Sequence, residues 1–187
     1  MSRPIVRVAL LVLLLQAGCA RPQFFIHQTY DFSVVKKVAV LPLENLTTDQ
    51  LAGERVRKAV IAELLAAGVV DVIEPGQVNR ALNQLNIQSV TAISVDDLKK
   101  LGASLGVQAL FLGSLDVYDR ISLGGGSFPE ITISLRAVDP ATGTIVWSAT
   151  HSGGGVGIVG RLFGFGGDTM SEATQKTIRA ALATLFK

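Results

Sequence analysis

Few residues of this sequence are set up for chemistry, and Cys19 has the most specific setting. It follows Ala17 and Gly18, behind Arg3, Arg7 and an uncharged apolar run over residues 8–15. A basic start, a short apolar run and small residues before a cut make up an export signal. The apolar run is far shorter than the roughly 20 helical residues that span a hydrocarbon core. A cysteine directly behind two small residues adds what a plain signal lacks, because its thiol can become the thioether that carries a diacylglycerol. The pattern predicts a lipoprotein signal peptide over residues 1–18 and a lipidated Cys19; the plainer alternative is an unmodified cysteine behind an ordinary signal. A single acyl chain holds a membrane only marginally, whereas a full set of palmitate-type chains is a lasting anchor.

Other candidate chemistry is sparse. His27 and His151 have no cysteine beside them and no HExxH spacing, no serine sits in a GxSxG elbow, and Asp96 with Asp97 reads as the first turn of a helix. Cys19 is the single cysteine, so neither a disulfide nor a cysteine metal site can form. These residues predict no enzyme, no metal and no cofactor. The glycine-rich run over residues 153–167 (GGGVGIVGRLFGFGG) precedes a helix start, as a phosphate cradle would, but it lacks GK[ST] and an acidic residue at dinucleotide spacing. Within it, Val156, Ile158, Val159, Leu162, Phe163 and Phe165 alternate with glycines and Arg161. Such a segment either contacts a partner or membrane or folds back over its own core.

Charge and length narrow the class further. The signal holds Arg3 and Arg7, so the 17 basic residues fall to 17 − 2 = 15 against 15 acidic ones. That balance offers no polyanion surface and predicts no nucleic-acid partner. The remaining 187 − 18 = 169 residues fit one domain able to bury its own core. Residues 19–34 read as a short tether whose rings, Phe24, Phe25, Tyr30 and Phe32, pack on the domain or on a neighbour, and residues 35–187 read as the domain.

The elements that must carry these residues follow from periodicity. Residues 37–43 (KVAVLPL) read as a buried strand closed by Pro42, with a loop over 44–48. Asp49 is a candidate cap for a helix over 51–67, whose stripe Val56, Val60, Leu64 and Ala67 leaves Arg55, Arg57, Lys58 and Glu63 mostly on other faces. A short strand over 69–73, a Glu74-Pro75-Gly76 turn and a helix over 77–85 come next. Ser94 with Asp97 starts a third helix, closed by Gly106. Residues 107–120 read as extended, first apolar and then alternating Leu115 and Val117 with Asp116 and Tyr118, with a turn at Gly124, Gly125 and Gly126. Residues 130–138 alternate, with Ile131, Ile133, Leu135 and Ala137 opposite Thr132, Ser134 and Arg136. A tight turn over 139–143 returns the chain into a strand over 144–152, and Asp168 or Thr169 caps the last helix. The order predicts a single α/β domain with a mixed sheet, parallel near the N-terminus and an antiparallel meander later, flanked by helices.

Several of these segments, in this order, carry a family resemblance. Residues 37–46 (KVAVLPLENL), 72–75 (VIEP), 106–113 (GVQALFLG) and 135–147 (LRAVDPATGTIVW) resemble the periplasmic domain of the CsgG family of outer-membrane lipoproteins. Curli secretion channels, the lipoprotein ring of Pel polysaccharide export and the LpoB-type activators of peptidoglycan synthases share that fold. The resemblance implies an outer-membrane lipoprotein in an export or envelope-assembly complex, self-associating or bound to export-complex proteins, with its domain in the periplasm. Ala20 after the cysteine, rather than Asp, agrees with outer-membrane sorting as it is known in enterobacteria. A curli-type pore needs hairpin strands of about 9 to 11 residues in the membrane, and the loops over 121–129 and 153–167 are too short for a full pair. A synthase activator is the alternative, although about 14 residues of tether reach at most ~50 Å.

Overall fold

The structure, a computed structural model, describes residues 23–123, 126–154 and 168–186. Among the described residues seven strands and four helices form one α/β domain. The strands are β1 (Gln23–Ile26), β2 (Lys37–Val40), β3 (Glu44–Asn45), β4 (Asp71–Val72), β5 (Ala109–Leu123), β6 (Gly126–Asp139) and β7 (Thr144–Gly154). The helices are α1 (Ala52–Ala67), α2 (Pro75–Gln84), α3 (Val95–Leu105) and α4 (Met170–Leu182). The sheet order is β1-β7-β6-β5-β2-β4, with β3 also on β5. β2 pairs parallel with β4 and β5, while β5-β6-β7-β1 runs antiparallel. The mixed sheet and its order of parallel and antiparallel parts are those read from the sequence.

Local chemistry sets the element ends. The Ser94 hydroxyl accepts from Asp97 N–H and starts α3, and Gly106 ends it at φ 64°. Thr169, not Asp168, caps α4 in a capping box with Glu172. Several expectations need correction. Leu51, not Asp49, is the N-cap of α1, and Asp49 instead accepts Leu51 N–H just ahead of it. Pro75, expected in a turn, opens α2 with the Glu74 side chain as cap, because proline gives up no hydrogen bond in a first helical turn. Glu44–Asn45, expected in a loop, pairs with Ser114 and Leu115. The loop expected over 121–129 is the paired end of the β5–β6 hairpin, whose last pair is Leu123 with Gly126.

The largest departure lies at the N-terminal side. The tether expected over 19–34 belongs to the folded domain from Gln23 onward: β1 adds an edge strand, and Phe32–Val34 forms a 3-10 turn. Two of its rings, Tyr30 and Phe32, meet edge to face at 5.0 Å and pack against the core.

Two hydrophobic clusters sandwich part of the sheet. On one face α1 and α4 bury Val56, Val60, Leu64, Ile178 and Leu182 against Phe111, Ile131, Ile133, Leu135 and Trp147. On the other, α2 and α3 bury Val78, Leu82, Leu98 and Leu101 against Ala39, Leu41, Leu110, Leu112 and Val138. Arg57, expected off the buried stripe, lies in the interior at 1% exposure, its Nε and Nη2 donating to the Val40 carbonyl at 3.0 and 2.8 Å.

Candidate partner-docking surface

The second face of the sheet changes character where its helices end. Within the cover of α2 and α3 it is apolar, at Leu110, Leu112 and Val138. Farther along the same strands the side chains on that face include Ser114, Asp116 and, past the bulge, Val117 on β5, Thr132, Ser134 and Arg136 on β6, and Ser148, Thr150 and Ser152 on β7. Among the described residues no helix lies over this half. Alternation explains the contrast: the partners of these residues on the opposite side, Ile131, Ile133 and Leu135, are core.

The hydroxyls are joined across the strands. Ser114 donates to Asp116 Oδ1 at 2.6 Å and Ser134 to Oδ2 at 2.8 Å. Since Ser134 has one proton and gives it to Asp116, Thr150 is the donor in their 3.1 Å contact. The chain of donation runs from Thr150 through Ser134 to Asp116, from β7 to β5. Thr132 and Ser152 form a second cross-strand bond of 2.9 Å. Asp116 can serve as common acceptor because it is the extra residue of a bulge: Leu115 pairs with Ile133 and Val117 with Thr132, leaving Asp116 between them. The outcome is a preorganised array of hydroxyls around the Asp116 carboxylate, with Val117 and Arg136 on the same face.

This array continues into the aromatic edge strand. The register sets Gln23 beside Thr150 and Phe25 beside Ser148, so both share the hydroxyl face. Phe24 and Phe25 are 45% and 48% exposed, and Phe25 meets His27 edge to face at 6.3 Å. Natural sheets commonly guard such an edge with charge or proline. β1 has neither. A polar array bordered by the exposed ring of Phe25, with Phe24 on the opposite face of the same edge strand, suits recognition of another macromolecule more than transformation of a small one.

Cys19 and the run holding Val156, Ile158, Val159, Leu162, Phe163 and Phe165 lie outside the described residues. His27 sits just after β1 and His151 within β7, on different strands. Among the described residues no group of three or more His, Cys, Asp or Glu could hold a metal ion, and no helix is long and apolar enough to cross a membrane. Sequence reasoning found the polar row Thr132, Ser134 and Arg136 through its alternation. The alternation of Asp116 and Tyr118 against Leu115 and Val117 needs correction: the bulge at Asp116 turns Val117 to the face of Thr132 and Tyr118 to the core side, and the acceptor role of Asp116 was missed with it. Also missed was β1, whose four residues are too few to show a period.

A family model described as the peptidoglycan-synthase activator LpoB matches residues 18–152, well over half of the sequence. The chain belongs to the LpoB family. The match begins just before Cys19 and ends in β7, so it takes in the aromatic edge and the hydroxyl array. No curated protein matches the sequence. Among solved structures, this LpoB-family fold is similar to the PelC dodecamer from Paraburkholderia phytofirmans, at 20% identity and a TM-score of 0.60, covering 87% of this chain and 94% of that one. It is also similar to the lipoprotein GNA1162 from Neisseria meningitidis, at 20% identity and a TM-score of 0.54, covering 64% and 83%. A third likeness is to the hypothetical protein CT253 from Chlamydia trachomatis, at 11% identity and a TM-score of 0.55, covering 81% and 95%. At these identities the likeness is one of fold.

Proposed function

We propose that this LpoB-family chain is a lipid-anchored, non-enzymatic docking component of an export or envelope-assembly complex, a lipoprotein of CsgG-like kind. Lipid on Cys19 holds it to a membrane, which we take to be the outer one, with the domain in the periplasm. The half-open sheet face, with its linked hydroxyls and the aromatic edge of β1, engages protein. That face, free of helices among the described residues and flanked at one side by Val90 and Thr91, is the observation that carries the reading. The first partner is a second copy of the chain, and the likeness to a PelC dodecamer supports self-association. The second reading, activation of a peptidoglycan synthase, has the family description in its favour.

Mass photometry of the detergent-solubilised lipoprotein, alone and with a purified peptidoglycan synthase, tests both. The expected result is a discrete multimer or a synthase complex that Phe25→Glu and Thr150→Arg weaken at least tenfold, with the unfolding midpoint little changed. A monomer over a wide concentration range that also leaves the synthase unbound would count against both.

A further inference from the structure

Remote from the docking face, under the other end of the sheet, an apolar cavity of about 380 Å³ opens among the start of β2, the C-terminal ends of α1 and α4, and the 3-10 turn. Its floor is core: Val38, Phe111, Ala137 and Val146 are all buried. Its mouth is framed by Val69 and Phe186, 55% and 43% exposed. Among the described residues the lining holds one charged side chain, the exposed Lys36, with Ser33 near it in sequence, and no carboxylate. Asp31, which feels the charge of Lys36, serves as the cap of the 3-10 turn, accepting Ser33 N–H at 2.9 Å.

Open apolar space of this size is within the range that takes small ligands. Water gains little from entering it, because the floor offers no polar partners. We propose that the cavity binds a single-chain anionic amphiphile of the acyl-carboxylate class, with its tail along the floor and its carboxylate at Lys36. Charge complementarity sets the orientation, since Lys36 is the sole ion that the described residues bring to the lining. The chain's own lipid on Cys19 is a poor occupant. β1 runs from Gln23, beside Thr150, toward Ile26, beside Trp147, so its start lies at the end of the sheet away from Val146.

The test uses the mature chain with Cys19→Ser, purified without detergent, and cis-parinarate, a fluorescent acyl carboxylate, as probe. Saturable one-to-one binding is expected. Lys36→Glu should weaken it at least tenfold while leaving binding of the probe's methyl ester unchanged. Val69→Asp, a change at the exposed mouth that spares the core, should weaken acid and ester alike. Absence of saturable binding by the parent chain, or equal binding by the parent and both variants, overturns the proposal; circular dichroism checks that each variant is folded.

Discussion

Arg57 does structural work that few charged side chains do. Buried between α1 and β2, it gives two donors to the Val40 carbonyl and a third, at 3.3 Å, to Asn79 on α2. Burial pulls its pKa down, and Glu54 opposes that pull. Arg57→Met keeps the stem but removes the donors, so urea unfolding should show a loss of about 1–3 kcal/mol, the usual effect of leaving a buried partner unmet. Lys in its place should recover only part, lacking the fork geometry. The capping carboxylates predict a pH dependence. Glu172 and Glu74 are held below the usual carboxylate range chiefly by backbone N–H donors, from Thr169 and from Gly76. A folded pKa below the unfolded one stabilises at neutral pH and loses that contribution as pH falls below about 5. Thermal unfolding followed against pH should decline on that acid limb, and Glu172→Gln should make the decline shallower. The Ser94 and Thr169 caps were legible because capping chemistry is local. Arg57 was not, since helical periodicity ranks residues by polarity and has no access to the carbonyl waiting in β2.

At the scale of elements, close approach matters more than propensity. A Cβ on Gly102 of α3 would lie 2.4 Å from Pro140 in the β6–β7 turn. One on Gly153 of β7 would lie 1.9 Å from the Thr177 hydroxyl of α4. Gly102→Val should therefore destabilise by roughly 1–3 kcal/mol through overpacking, read as a lower unfolding midpoint. An equivalent change at the exposed Ala66 should do little. The β6–turn–β7 unit was readable because alternation and the 139–143 turn agree, and α3 because both of its ends carry caps. β1, β3 and the closed end of the β5–β6 hairpin were not. Each draws its strand character from pairing with a partner distant in sequence or at a hairpin end, and Pro129 and the glycines of 124–126 read locally as breakers although β5 holds Pro129 in register with Arg120.

For the whole molecule, the sheet separates two ends. The chain enters β1 at Gln23, on the side where β7 runs on to Gly154, while the lysine-rimmed cavity lies under the other. Only three residues separate Cys19 from Gln23. A proposed anchor that close would hold the domain near the membrane and present the hydroxyl face sideways to its neighbours. Cys19→Ser should move the protein from the membrane fraction to the soluble periplasm without lowering its unfolding midpoint. The helix-free face of the sheet is the proposed protein-docking surface. Its most direct test is photo-crosslinking in living cells, with the reactive side chain placed at Thr150 on that face and, as a control, at Ala66 on α1. A discrete adduct is expected at Thr150, to a second copy of the chain or to a peptidoglycan synthase, and none at Ala66. Equal, diffuse labelling at both positions, or no adduct at either, would contradict it.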